Sequence, residues 1–143
     1  MISFAALVSV IFAAVVPVKG LPGEWLDEAE LKVAFSGVTV DGEYPSKREF
    51  RETYRADGSV EYHDNGRQSG GHWSIKAGSF CTIYDDDPLG GCFRVQKAGK
   101  NCYEFYFVAR TEDRAETDPD KPSWTARAWR SDEPAACHTK ADV

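Results

Sequence analysis

The chain has 143 residues, of which 42% are hydrophobic, and it carries a net charge of −6. A chain of this length suits a single domain with a core of its own. The acidic balance argues against a nucleic acid or an anionic membrane surface as the partner, because both bind proteins that present positive charge.

The first twenty residues have the composition of a secretory signal peptide. An apolar run occupies residues 2–16 and ends at Pro17. It is about 15 residues long, as in the apolar region of a signal peptide, whereas roughly 20 residues are needed to span a bilayer. We therefore predict a signal peptide at 1–20, a single β-rich domain at 21–143 and no stable membrane span after cleavage.

The segment that follows carries the signals of one short helix. Asp27 or Glu24 can cap its start, where acidic residues suit the positive end of the helix dipole. Apolar residues recur at a partly amphipathic spacing up to Phe35, and Gly37 can adopt the left-handed conformation that ends a helix. The sequence predicts a helix over about 26–36.

Short runs of alternating apolar and polar residues follow and predict β-strands. In REFRETY, for example, Phe50 and Tyr54 fall on one face and Arg51 falls on the other. Turn-forming pairs separate the runs: Asp41-Gly42, Asp57-Gly58, Asn65-Gly66, Gly70-Gly71, Gly90-Gly91 and Ala98-Gly99.

One apolar face per strand predicts a mainly β fold. We expect an antiparallel meander of about 7–8 strands, curled into a small barrel or a strongly bent sheet. The short N-terminal helix should plug one open end or cover one face. The polar residues 110–123 should form an exposed loop before the last strand.

The four cysteines all follow the predicted signal peptide, and an even number in an exported chain predicts two disulfides. Cys81 and Cys92 lie on neighbouring predicted strands. Of the three possible pairings we favour Cys81–Cys92 with Cys102–Cys137. A zinc site of four thiolates is the alternative, but no two cysteines have the close spacing that such sites show.

Three consecutive aspartates, Asp85, Asp86 and Asp87, lie between the first two cysteines and are a candidate calcium site. Contiguous side chains diverge along the backbone, so they suit one ion poorly. Pro88, together with the following glycines, favours a turn in this stretch, as do aspartates themselves. We predict a solvated loop over 85–91 and no metal or cofactor.

A second cluster of chemically active residues comprises His63, Asp64 and His72. With Glu61 nearby and a serine as nucleophile, it is the candidate site of a cell-envelope hydrolase. A two-residue Asn-Gly turn would place His63 opposite Gln68 instead of His72, which would separate the two histidines. We therefore predict that the protein is not an enzyme.

Aromatic residues are frequent in the predicted strands. They either fill the core or line a pocket for an apolar or glycan ligand. Eight of them form the wider set: Tyr54, Tyr62, Trp73, Tyr84, Phe93, Tyr103, Phe105 and Trp124. The candidate ligand pocket is formed by six of these: Tyr54, Tyr62, Trp73, Phe93, Phe105 and Trp124.

Several short motifs, in their order along the chain, resemble those of a known group of proteins. These motifs are Leu31-x-x-x-Phe35-x-Gly37-x-Thr39, Tyr54-Arg-Ala-Asp57-Gly58, Gly71-x-Trp73-x-Ile75, Cys81-x-x-Tyr84, Cys92-x-x-Val95 and Asn101-Cys102-Tyr103. They resemble a group of small exported proteins of unknown function from α-proteobacteria, many of them rhizobia, and Gly71-x-Trp73 is also similar to the Gly-x-Trp of lipocalins. The resemblance covers about 31–107, implies a periplasmic or secreted β-rich domain, and implies no catalytic residues.

Together these features predict an exported, non-catalytic binding module. Its expected partner is either a small apolar or glycan ligand held by the curled sheet, or an envelope protein docked on loops 85–91 and 110–123. The envelope hydrolase described above and a purely structural envelope protein are the alternatives.

Overall fold

The computed structural model of the protein describes residues 24–109 and 124–138. The predicted signal peptide and the predicted loop 110–123 lie outside these residues. The elements within them are α1 (Glu28–Phe35), β1 (Val38–Glu43), β2 (Glu49–Tyr54), β3 (Ser59–Asp64), β4 (Arg67–Lys76), β5 (Ser79–Tyr84), β6 (Asp87–Gly99), β7 (Cys102–Ala109) and β8 (Ala126–Arg130).

The eight strands form a closed antiparallel barrel, which confirms the predicted fold class. Each strand pairs with the next along the chain, and β8 returns to pair with β1. The inward face carries the predicted apolar residues, because side chains alternate between the two faces of a strand. In β3, for example, Val60 and Tyr62 are buried.

The helix α1 begins one residue after Asp27 because Asp27 caps it. The Asp27 side chain accepts a hydrogen bond from the backbone N–H of Glu30, and the Glu30 side chain accepts one from the backbone N–H of Asp27. This reciprocal capping satisfies donors that the first helical turn leaves free. After Phe35 the chain turns at Gly37, whose φ of +75° suits glycine.

The residue Phe35 closes one end of the barrel. Its ring lies 5.8 Å from that of Tyr54, 5.0 Å from that of Phe80 and 5.4 Å from that of Phe105, between ring centroids. The backbone N–H of Gly37 donates to the carbonyl of Tyr54, which ties the helix exit to the end of β2. The helix therefore plugs one end, which is one of the two positions predicted for it.

Several predicted turn pairs lie inside strands instead. Asn65-Gly66 forms a two-residue turn between β3 and β4, but Gly42 lies in β1, and Gly71 in β4. A Cβ on Gly42 would lie 2.3 Å from the Phe50 ring, and one on Gly71 would lie 2.0 Å from the Ile83 carbonyl oxygen. These glycines permit close packing in a tightly curved sheet and do not mark turns.

Both favoured cysteine pairs are joined. The Cys81–Cys92 pair links β5 to β6 and the Cys102–Cys137 pair links β7 to the segment after β8, each with an S–S distance of 2.05 Å. Two disulfides fit an oxidising compartment. In the described part of the chain, no helix is long and apolar enough to cross a membrane.

Candidate ligand-binding site

The barrel contains a cavity of about 540 Å³ at the end opposite α1. Tyr54, Phe80 and Phe105 separate it from the plugged end, because each of them contacts Phe35 and also lines the cavity. The other walls are mostly aromatic side chains projected by β2, β3, β6 and β7: Phe50, Tyr62, Phe93 and Phe107. The inner half of the barrel is thus filled and the outer half is hollow.

One carboxylate lies deep in the cavity wall. Glu52 projects inward from the middle of β2, between Phe50 and Tyr54, and is 5% exposed. The hydroxyl of Tyr54 donates to Oε2 of Glu52, and the hydroxyl of Tyr84 donates to Oε1. Burial raises the pKa of Glu52, and the two tyrosine hydrogen bonds oppose that rise only in part.

Those hydrogen bonds also affect the tyrosines. Burial raises the pKa of Tyr54 and of Tyr84, and the nearby Glu52 charge raises both further. Both hydroxyls therefore stay protonated across the physiological pH range and remain donors. They hold the carboxylate in one orientation.

At the mouth of the cavity, Arg48 lies over the ring of Tyr44. The Tyr44 and Tyr62 hydroxyl oxygens lie 3.0 Å apart, and the Tyr62 hydroxyl donates to Oδ2 of Asp64 at 2.8 Å. The Arg48 Nε lies 3.1 Å from the same Asp64 oxygen, and its guanidinium carbon lies 4.7 Å from the Tyr44 ring centroid. The charge of Arg48 is thus balanced locally by Asp64.

A second arginine at the mouth, Arg67, is held in the same way. Its Nε and Nη2 donate to the two carboxylate oxygens of Asp86 at 2.7 and 2.8 Å. The Arg67 hydrogen bonds, and then that from Ser69, lower the pKa of Asp86 to about 2. The guanidinium carbon of Arg67 lies 5.1 Å from the Tyr62 ring centroid, so this ion pair borders the entrance.

The structure brings four of the six predicted pocket residues to the cavity: Tyr54, Tyr62, Phe93 and Phe105. Trp73 instead belongs to the core, where its ring is stacked on Phe80 and its Nε1 donates to the Arg55 carbonyl at 2.8 Å. Trp124 is buried against the Arg127 guanidinium, 4.8 Å from the ring centroid, and does not line the cavity.

The predicted aspartate loop is shorter than expected. The turn comprises Asp85 and Asp86, and β6 begins at Asp87, which pairs with Tyr84. A register shift in β5 lets the two strands continue almost to the tip, so the loop 85–91 expected from the sequence is wrong in extent. Among the described residues, no group of three His, Cys, Asp or Glu side chains is arranged to hold a metal ion.

The candidate hydrolase residues do not converge. His63 lies opposite Gln68 and His72 lies opposite Ser59, so the two imidazoles are separated along the strands. The His63 ring nitrogen Nε2 donates a hydrogen bond to the Glu61 carboxylate on the outer face, while Asp64 points inward. His63 and Asp64 both border a second, shallow depression of about 800 Å³, which His72 does not reach.

Sequence reasoning missed the most polar part of the cavity. The alternation of REFRETY does place Glu52 on the same face as Phe50 and Tyr54, and an acidic residue at an inward position was the available signal. Tyr84 was in the wider aromatic set. The arginines of the mouth, Arg48 and Arg67, gave no signal because they lie at strand ends, where charged residues are common.

Comparison with known proteins does not assign the chain to a family. No protein-family model matches the chain, and no curated protein is similar to it in sequence.

Proposed function

We propose that this protein is an exported binding module that holds a small, largely apolar molecule in the open half of the barrel. The observation that carries the proposal is the cavity of about 540 Å³ beside a fully packed inner half. Its volume lies within the roughly 300–1,000 Å³ of small-molecule sites. Half of its lining residues are aromatic, and aromatic walls are usual for such sites.

The polar groups at the mouth favour an apolar ligand over a glycan. Arg48 is paired with Asp64, and Arg67 with Asp86. A sugar needs many hydrogen-bond partners, whereas the charges of these side chains are already paired with one another. Aromatic faces can bury apolar surface without losing any hydrogen bond.

Export is the second part of the proposal. It is supported by the predicted signal peptide and by the two disulfides, which form and persist in the periplasm or outside the cell. The resemblance to small exported α-proteobacterial proteins supports the same compartment. An envelope hydrolase, a protein-docking module and a structural envelope protein remain alternatives that no contact in the barrel favours.

Binding can be tested with a neutral apolar fluorophore, N-phenyl-1-naphthylamine. The wild-type protein should enhance its fluorescence saturably. Ala126→Trp, which places a large ring in the cavity wall, should weaken binding at least tenfold. The matched control is Val33→Trp, which adds the same side chain at an 82% exposed site on α1 and should leave affinity unchanged.

A second control variant alters one of the candidate hydrolase residues. His63→Ala alters an exposed residue outside the cavity and should bind the fluorophore as the wild type does. Absence of saturable binding by the wild type, or equal binding by Ala126→Trp, would contradict the proposed function.

A further inference from the structure

Three carboxylates are buried in the described part of the chain, and they differ in their partners. Glu52, Asp64 and Glu104 are 5%, 7% and 9% exposed. Asp64 is paired with Arg48 at 3.1 Å, and Glu104 with Arg127 at 2.8 Å. Glu52 forms no ion pair with any described Lys or Arg, and its partners are two neutral hydroxyls. A buried carboxylate without a cation is costly, and proteins usually pair one.

The geometry of Glu52 leaves room for one more partner. A carboxylate has about four lone-pair sites on its two oxygens, and Tyr54 and Tyr84 each occupy one site on a different oxygen. Both hydroxyls donate, which is the arrangement that an ionised carboxylate requires. Because Glu52 lines the cavity, its remaining acceptor sites are available to a bound molecule.

The surrounding walls also favour positive charge. The face of an aromatic ring is the negative end of its quadrupole and attracts a cation, most strongly where water is excluded. Seven rings besides those of Tyr54 and Tyr84 line the same cavity as Glu52: Tyr44, Phe50, Tyr62, Phe80, Phe93, Phe105 and Phe107. An aromatic cage with a carboxylate in its wall is chemically suited to an ammonium group.

The arginines at the mouth do not supply the missing charge. Arg48 is engaged by Asp64, and Arg67 by both oxygens of Asp86. Each guanidinium also covers a tyrosine ring at the entrance. Because both are matched by carboxylates of their own, neither neutralises Glu52, and no other described Lys or Arg forms an ion pair with it.

We propose that the ligand is an apolar organic cation, whose ammonium group contacts the Glu52 carboxylate and whose apolar body packs against the aromatic walls. This inference rests on the proposed function, since it names the chemical class of the molecule held in the same cavity. It assigns to Glu52 the discrimination between cationic and neutral ligands.

Three probes with one ring system separate charge from shape: tryptamine, which is cationic, tryptophol, which is neutral, and indole-3-propionate, which is anionic. Isothermal titration calorimetry at pH 7 should give tryptamine at least tenfold tighter binding than tryptophol, and the weakest binding for the propionate. Tenfold corresponds to one charge-assisted contact of about 1.4 kcal/mol.

Two variants assign the preference to one residue. Glu52→Gln keeps the size and shape of the side chain, and should abolish the preference for tryptamine while leaving tryptophol affinity within about twofold. Glu104→Gln removes a buried carboxylate on the outer face of β7 and should keep the preference. Retained tryptophol binding by Glu52→Gln shows that the variant is folded.

The results that would contradict the cation proposal differ from those that would contradict the proposed function. Equal affinity of the wild type for tryptamine and tryptophol, or a preference that survives in Glu52→Gln, overturns the cation proposal. If N-phenyl-1-naphthylamine still binds in the cavity, the proposed function stands without it. If neither that fluorophore nor any indole probe binds, both proposals are overturned.

Discussion

The two ends of the barrel are built from the same strands and the same kinds of side chain, yet one is filled and the other is hollow. At the filled end, Phe35 enters from α1 and its ring contacts Tyr54, Phe80 and Phe105. At the open end, aromatic side chains of the same strands face a cavity and Glu52. An inward aromatic residue therefore belongs to the core if another part of the chain packs against it, and lines the cavity if none does.

The largest expected effect is on Phe35, which is fully buried. Phe35→Ala should lower the free energy of unfolding by up to about 5 kcal/mol, because it removes a large side chain and leaves a void between packed rings. Phe107→Ala, at the open end, should cost about 1 kcal/mol, since Phe107 is partly exposed already. Urea unfolding followed by circular dichroism measures both, and equal losses would contradict the difference between the two ends.

The disulfides should give the next largest effect. Cys102–Cys137 ties the segment after β8 to β7 over a sequence separation of 35, whereas Cys81–Cys92 spans 11. Replacing both cysteines of a pair by serine should cost about 4 kcal/mol for the first and about 3 kcal/mol for the second, because the longer loop restricts the unfolded chain more. Thermal unfolding of the two double variants tests which disulfide stabilises the protein more. The prediction would be contradicted if the variant without Cys102–Cys137 were the more stable of the two.

The smallest expected effect contrasts two buried carboxylates. Burial raises the pKa of Glu52, so the folded protein binds this proton more tightly than the unfolded chain, and stability falls as pH rises through the raised pKa. Burial alone would raise the pKa of Glu104, but the hydrogen bonds from Arg127, Tyr106 and Gln96 lower it. Its contribution is therefore present at neutral pH and is lost as pH falls through the lowered pKa.

At pH 7 and without ligand, Glu52→Gln should raise the free energy of unfolding by about 1 kcal/mol, since it removes an unpaired buried charge. Glu104→Gln should lower it by about 2 kcal/mol, since it breaks a charge-assisted bond to Arg127. The difference between Glu52→Gln and wild type should shrink toward pH 4, where the Glu52 carboxyl becomes protonated. The difference for Glu104→Gln should persist to lower pH, because the pKa of Glu104 is lowered. Urea unfolding from pH 4 to pH 7 measures this, and the same sign for both variants at pH 7 would refute the contrast.

Much of the barrel could be predicted because its determinants are local. Alternation in REFRETY sets which face of β2 is inward, Asn65-Gly66 sets the register that places His63 opposite Gln68, and the capping residue sets the start of α1. Cysteines on adjacent strands indicated their own pairing. The turns predicted at Gly42 and Gly71 were wrong, because the sequence does not distinguish a glycine that permits close packing from a glycine that forms a turn.

Sequence alone therefore predicted the mainly β fold class, favoured the disulfide pairing that forms, and indicated the inward face of strands such as β2, since these depend largely on neighbours along the chain or across one strand pair. Only the tertiary structure decided which inward aromatic residues line a cavity, because that depends on how far Phe35 reaches into the barrel. It also decided that Glu52 has two hydroxyls beside it and, among the described residues, no cation. A period of two residues gives the face of a side chain but not what stands opposite it across a closed barrel.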